Sequence, residues 1–457
     1  MTTTATPATH DLMHVRGAVH RPGDSGWDDA RRAWNLSVDQ HPELVVEPVD
    51  AGDVAATLRF AAGAGLRVAV QGTGHGAAAR GGDLAGALLL RTSAMRGVTI
   101  DAQRRTARAE AGSLWLEVAQ AAAPHGLVAL HGSAPDVGVV GYTLGGGLGW
   151  LARRHGLACS HVSAIEVVLP DGRRVRTTAT DEPRLFWALR GGGGSFGVVT
   201  AIEFALFAVE EVTAGALMWP IERAPAVLRR WRDLCPQLPR DITTVGRILR
   251  FPPLDEVPAP VRGRAMVLVE VASLLGEEET EAHLAPLREL GPELDTVATG
   301  DPSVLLHLHG DPEGPVPGIG AGQVLADLPD GGIDAITSRL GAGADTALVG
   351  LELRQLGGAL ATPTEGAGAL GAIPGAFAAY AIGVPGGGVG AEWISAELDA
   401  VMGALSAWST GRPYLNFAEA PVRPEQAFGR TAVGTLWEIA DAVDPGRVLM
   451  PSHDVRR

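Results

Sequence analysis

"LRVAVQGTGHGAAARGGD", residues 66–83, is the stretch on which the fold turns. An apolar run, residues 68–70, feeds directly into Gly72-Thr73-Gly74-His75-Gly76-Ala77. By its letters this is G-x-G-x-x-A, the fingerprint of a dinucleotide-binding turn. In that turn a helix begins inside the glycines, and its N-terminus holds a pyrophosphate. The context here is different. Gly81-Gly82-Asp83 interrupts almost at once, the next element is the strand-like "ALLLR", and the intervening "AAAR" is too short for the helix. The other reading is a loop whose backbone N–H groups form a nest for an anion, with the glycines giving close approach. His75 then has a separate task. Taken alone, it reads most simply as a loop histidine bonded to a carbonyl.

Two further clusters change that reading. "HGSAPDVGVVGYTLGGGLGWLARRHGL", residues 131–157, packs glycines at 132, 138, 141, 145, 146, 147, 149 and 156. Glycine inside a helix or strand costs roughly 1 kcal/mol per residue. Such a run therefore suits a surface where a flat ligand or its phosphates touch the backbone. The third cluster is Gly191-Gly192-Gly193-Gly194-Ser195-Phe196-Gly197. Clustered rather than scattered, the glycines point to one extended, phosphate-bearing cofactor.

Bulk properties narrow the classes. At 457 residues and 46% hydrophobic, the chain has material for two or three domains. Its net charge of −15 argues against nucleic acid and anionic membrane as partners. All 37 basic side chains are arginine, which excludes a pyridoxal-phosphate Schiff base, a Walker lysine and a Ser-Lys dyad. Cys159 and Cys235 allow at most one disulfide, and a reduced, cytoplasmic setting is expected. The first residues lack the pattern of a signal peptide, and no apolar run is long enough for a membrane span. The histidines, including His131, His155, His161, His307 and His309, lack metal-ligand spacing, so no metal is expected, and the His307-x-His309 pair is a candidate substrate contact.

Along the chain, helical and strand patterns alternate up to about residue 210. "DAGDVAATLRFAAGAG" reads as a capped helix, "LRVAVQ" as a strand, and "LPDGRRV" as a turn between two strands. Beyond it, "TAGALMWPI", "ITTVGRILRF", "RAMVLVEVASLL", "TALVGLELRQL" and "AFAAYAIGV" read as long strands with a few helices between. Residues 303–323 read as a Pro/Gly-rich loop, and residues 1–26 as a loose leader. The class is α+β, with a large, mainly antiparallel sheet flanked by helices in the second half.

The motifs "QGTGHG", "SAPDVGVVGYTLGGGLGWLARRHGL", "LPDGRRV", "DEPRLFWALRGGGGSFGVVTAIEF", "PYLNF" and "VDPGRVL" together resemble the berberine-bridge-enzyme-like oxidases of the vanillyl-alcohol oxidase and para-cresol methylhydroxylase superfamily. The resemblance covers most of the chain and is loosest in the middle. It implies an FAD-binding domain over 27–210, a substrate-binding domain over 211–412, and a C-terminal segment, 413–457, that returns to the first. It places FAD against Gly72, Thr73, Gly74, His75 and Gly76 in the first loop. From the second it draws Ser133, Val137, Gly138, Gly141, Leu144, Gly145, Gly146, Gly147 and Gly149. From the third come Gly197, Val198 and Val199, and Asn416 approaches from the tail.

In the family the histidine at the position of His75 is bonded to the flavin 8α-methyl carbon. Many members add a link from a cysteine where this chain has Ala134, so a single link through His75 is expected. The family's Y-x-N tyrosine takes the substrate's proton, a role that falls to Tyr414, with Asn416 near the flavin. If "YLNF" is extended, both side chains share a face. A phenol titrates near 10, so a base at this position needs help from positive charge or hydrogen bonds. Some relatives place another tyrosine where this chain has Leu148, and Tyr142 lies nearby. The expectation is an oxidase that passes hydride from an alcohol or a C–N or C–H centre of a secondary metabolite or sugar-like molecule to flavin, with O2 as acceptor. The same scaffold would also serve a dehydrogenase with another acceptor, or a cyclase or isomerase in which flavin is not reduced. The oligomeric state is not legible.

Overall fold

No helix follows the first glycine loop. Residues 72–82 pass in bends and turns from the strand Arg67–Gln71 to the strand Ala87–Arg91. The computed structural model that shows this describes residues 9–456. Arg67–Gln71 and Leu44–Glu47 flank Ala87–Arg91 in parallel pairings, and Ala18–His20 adds an antiparallel edge. The helix Ala51–Ala64 connects Leu44–Glu47 to Arg67–Gln71. The Asp50 side chain caps its start by accepting from Gly52 and Asp53 N–H, and Gly65 ends it in the left-handed region.

The leader reading needs correction. Residues 1–8 lie outside the described residues, but Leu12 is buried and Ala18–His20 belongs to the sheet. The buried carboxylate of Asp53 accepts the N–H groups of Arg16, Gly17 and Val49, and this draws the segment in.

A second sheet is wholly antiparallel, in the order Val98–Asp101, Thr106–Glu110, Val198–Ala205, Val162–Val168, Arg174–Thr177. The helix Arg430–Val443 packs against Pro183–Leu189 beside it, and Leu449 bridges to Val68 of the first sheet. The C-terminal stretch thus returns to the glycine-loop half of the molecule.

The third sheet has eight strands, all antiparallel. Its central run is Val212–Pro220, Ala265–Ser273, Ile242–Arg250, Leu348–Gln355, Phe377–Gly383 and Ile319–Leu325. Two of its elements depart from the sequence reading. Ile319–Leu325 falls in the stretch read as loop, yet it forms the edge strand against Phe377–Gly383. A Cβ on Gly320 would lie 2.1 Å from the Tyr380 hydroxyl, and one on Gly322 would lie 2.8 Å from the Phe417 carbonyl, so glycine there serves close packing. The helix Ala224–Leu234, between two of the long strands, has no counterpart in the sequence reading. It buries Val227, Leu228, Trp231 and Leu234 along one face.

Helices Ala224–Leu234, Glu277–Arg288, Asp330–Leu340 and Ala391–Leu405 cover one face of this sheet with an apolar core. The opposite face meets the glycine-loop half and is partly charged. Residues of alternate parity along the strands put Glu270, Arg247, Glu352, Arg354 and Tyr380 on it. His309 is set between the two carboxylates. Its Nδ1 lies 2.6 Å from Glu270 and its Nε2 2.6 Å from Glu352, with all three side chains buried. Arg247 pairs with Glu270 and Arg354 with Glu352. Among the described residues no helix is long and apolar enough to cross a membrane.

Arg153 pins the seam with no acid partner among the described residues. Its buried guanidinium donates to the carbonyls of Leu238, Pro239, Ile242 and Leu356. Arg153→Met leaves those acceptors unpaired and should cost on the order of 2–4 kcal/mol, read as a lowered melting temperature.

His309 adds a pH dependence. Burial and Arg247 work to lower its imidazole, but Glu270, Glu352 and Asp311 outweigh them and raise it to about 9. A group raised on folding gives stability that is complete below its unfolded value, about 6.5, and is lost as pH climbs through the folded one. The melting temperature should therefore fall between about pH 7 and pH 10. His309→Gln, destabilised by about 3 kcal/mol near neutral pH and by less as pH rises, should show a flatter profile. A flat wild-type profile would remove the ion cluster as a stabilising element.

Candidate functional site

The first glycine loop is held from outside by Trp34. Trp34 N–H donates to the Thr73 carbonyl, and Asn35 N–H to that of Gly74. Gly74 has φ +95°, and a Cβ there would come within 2.9 Å of the Ala33 and Trp34 backbone, so both conformation and approach require glycine. The Trp34 ring stacks on the His75 imidazole, with centroids 4.0 Å apart and planes within 19°. His75 Nδ1 lies 2.7 Å from the Thr73 hydroxyl. Its Nε2 faces Asp136 Oδ1 at 3.6 Å. Both of those facing atoms are buried and, among the described residues, lack a hydrogen-bond partner.

Asp136 comes from the second cluster. Its other oxygen accepts from the Trp34 indole at 2.5 Å and from Gly314 N–H at 3.1 Å. Burial alone would push this carboxyl up. His75, Trp34 and Gly314 outweigh it and hold the group below the ordinary value, so it is ionised at neutral pH. A Cβ on Gly138 would touch the Thr73 side chain, which places the first and second loops side by side. Above Gly76, Gly141, Gly193 and Gly194 lies open space, and Gly193 N–H is tied to the Leu144 carbonyl. Exposed glycine backbone from three loops, with an orphaned imidazole nitrogen among them, fits a phosphate-bearing cofactor such as FAD.

The tail closes on the glycine run from the other side. Tyr414 is extended, but Leu415–Phe417 form a short 3-10 turn, so "YLNF" is not the strand that the sequence suggested. The two side chains meet all the same: Asn416 Nδ2 donates to the Tyr414 hydroxyl at 3.1 Å and to the Tyr142 carbonyl at 3.0 Å. Gly147 N–H also donates to the Tyr414 oxygen, at 3.1 Å. A Cβ on Gly145 would collide with the Asn416 amide. Burial pushes the Tyr414 phenol well above its ordinary value, and the N–H groups of Leu148 and Gly147 and the Arg354 charge offset only part of that rise. In this state Tyr414 is a neutral hydroxyl.

Beside this turn lies a cleft of about 850 Å³, walled by the edge strand at Ile319 to Gln323, by Pro413, and by residues 418–422. Its lining includes Glu419, which accepts from the Tyr380 hydroxyl and whose carboxyl is raised by burial. Tyr380 points from the charged sheet face, and Arg354 on the same face lies over the Phe417 ring, 5.3 Å from its centroid.

The candidate residues therefore separate into groups. Gly145 to Gly147 meet Tyr414 and Asn416, Gly138 meets Thr73 of the loop from Gly72 to Gly76, Gly141 and Gly149 belong to the same cluster, and Val137 and Leu144 are partly buried alongside. Ser133 turns to the sheet, donating to Asp311 and accepting from Arg354. The Val198 and Val199 side chains are packed in core, so only backbone from that strand, next to Gly197, is available to a ligand. Cys159 is buried, donates to the Leu370 carbonyl, and has its thiol pushed up to about 12 by burial. Trp34, Asp136, Glu419 and Tyr380 are site neighbours that the sequence did not single out.

Residues 42–178 match a family model described as FAD binding domain. Over 285 residues the chain is 32% identical to (R)-6-hydroxynicotine oxidase of Paenarthrobacter nicotinovorans, covering 61% of this chain and 59% of that protein. Over 195 residues it is 36% identical to glucooligosaccharide oxidase of Sarocladium strictum, covering 42% and 39%. The matches thus span about half the length of these relatives. Among solved structures, a 6-hydroxy-D-nicotine oxidase from Arthrobacter nicotinovorans superposes with a TM-score of 0.80 at 23% identity, covering 98% of each chain. A berberine-bridge-enzyme-like protein of Physcomitrella patens superposes with a TM-score of 0.83 at 19% identity, covering 99% and 100%. These two likenesses show a shared fold. Residues 42–178 are thus an FAD-binding domain by their family match, and the chain as a whole shares the fold of the hydroxynicotine oxidase and berberine-bridge-enzyme-like structures.

Proposed function

We propose that this protein is an FAD-dependent oxidase that removes hydride from an alcohol or C–N centre of a small, secondary-metabolite or sugar-like molecule, with the flavin attached through His75 alone. The observation that supports this is the Tyr414–Asn416 pair seated on the second glycine cluster through Gly147 N–H, in the same turn whose flanking residues Pro413 and 418–422 wall the cleft. When bound, the flavin supplies a two-electron acceptor that O2 can reoxidise to give hydrogen peroxide. The relatives named above are called oxidases of a hydroxynicotine and of glucooligosaccharides, which supports the class of substrate.

The chain's own residues handle position and proton. Backbone of Gly72 to Gly76 and Gly138 to Gly149 lines the cofactor's bed without side chains in the way. The chain has no lysine, so phosphate must be met by backbone N–H groups and by arginine. Asn416 fixes the Tyr414 hydroxyl against Gly147 N–H. Tyr414 is the residue to which we assign the taking of a proton from the substrate hydroxyl or amine, and its raised phenol means that this step quickens as pH rises. Glu419, with Tyr380, offers the cleft a carboxyl that accepts from a substrate O–H or N–H. Ala134 stands where other members carry a linking cysteine, which leaves His75 as the one tether.

Tyr414→Phe should lower kcat by about 10²- to 10⁴-fold while FAD remains bound. Wild-type kcat should rise from pH 7 towards pH 9. Retention of full activity in the Phe variant would remove Tyr414 from the proton step. Acid denaturation should leave the yellow colour with the precipitate in wild type and release it in His75→Ala. Colour freed from wild type would end the covalent reading. Peroxide formed in step with substrate consumption, in air, would separate an oxidase from a dehydrogenase or an isomerase.

A further inference from the structure

Two buried polar atoms without partners face each other across 3.6 Å, His75 Nε2 and Asp136 Oδ1. Side-chain atoms this buried are nearly always satisfied, so the pair needs an explanation. An ionised carboxylate only accepts hydrogen bonds. The imidazole nitrogen turned towards it is therefore the one that carries hydrogen, and the lone pair is left on Nδ1. The partner of Nδ1 is the Thr73 hydroxyl, which can donate to that lone pair and can rotate away. Trp34 does two jobs at once: its ring fixes the plane of the imidazole, and its indole N–H fixes the carboxylate. A carboxylate orienting an imidazole whose other nitrogen is the nucleophile is the arrangement by which a weak base is activated.

We propose that Asp136 is a positioning residue for the covalent attachment of flavin at His75. It selects the tautomer with hydrogen on Nε2, so that Nδ1 attacks the 8α carbon, and it stabilises the cationic ring that results and accepts its proton. This rests on the reading that His75 bears the flavin. In the balanced step the 8α methyl gives up one proton to solvent and the new bond is Nδ1–C8α. The imidazole's Nε2 proton passes to Asp136 and on to solvent, and the electron pair is left on the flavin, which takes up two protons. O2 then removes those two electrons and two protons as hydrogen peroxide. The finished adduct weighs as much as protein plus FAD less two hydrogens.

The test is intact mass of the full chain, expressed without flavin, mixed with FAD in air and quenched with acid at intervals. Wild type should convert to the adduct mass. Asp136→Asn should bind FAD, seen in the absorbance spectrum of the undenatured protein, but link it at least about tenfold more slowly. Asp136→Ala should be slower still and should recover with added formate, which a purely structural role would not allow. Trp34→Phe keeps the stack but loses the indole donor and should link at an intermediate rate. Wild-type linkage with unchanged rates in both Asp136 variants overturns the assignment to Asp136 and leaves the His75 link standing. A wild-type chain that gains no mass overturns the link itself, and Asp136's role with it. If Asp136→Asn fails to hold FAD, the Ala variant with formate decides, and absence of recovery there counts against the proposal.

Discussion

Glu270 and Glu352 are two buried carboxylates on one face of a sheet, and the seam of the molecule is organised around neutralising them. Charges taken out of water are costly unless they are closely paired. Here the pairing comes from Arg247 and Arg354 on neighbouring strands and from His309 on a loop that crosses from the side. That requirement keeps the sheet face polar where it meets the glycine loops. It also holds Arg354 over Phe417 and towards the Tyr414 turn. The opposite face carries no such constraint and is simply apolar beneath four helices.

Much of this was legible in the sequence because glycine has few reasons to cluster. The loops at residues 72–76 and 138–149 come together in space, and the absence of a helix after the first was readable from Gly81-Gly82. The long strands were legible from their apolar content. The helix Ala224–Leu234 was passed over although its apolar residues recur at 227, 228, 231 and 234, a helical spacing between two strand-like runs. The strand Ile319–Leu325 was hidden by a different cause. Its glycines answer to Tyr380 and Phe417, residues distant in the chain, and single-sequence reading sees only local preference.

The site partners escaped for the same reason. Asp136 sits in "SAPDVG" with nothing local to distinguish it from a turn aspartate, and Trp34 lies 41 residues before His75. Their significance exists only as a stack, a hydrogen bond and a facing pair of atoms. Tyr414 shows the converse. The motif located it, but the expected extended geometry gave way to a 3-10 turn that brings Asn416 back onto its hydroxyl. Its environment raises the phenol where a resting base would need it lowered, and only three-dimensional burial could reveal that.

The crossing loop links parts of the molecule that are otherwise far apart in the chain. Between residues 309 and 318 it supplies His309 to the sheet, Asp311 to Ser133, Gly314 N–H to Asp136, and Val316 and Gly318 to Leu36 and Asn35. Asp136 is therefore fully positioned only when this loop lies across both halves. Without the loop the carboxylate beside His75 keeps the Trp34 indole and lacks the Gly314 donor. The loop therefore couples the setting of the Asp136 carboxylate to the docking of the two halves: a chain in which they are misaligned loses the Gly314 donor beside His75.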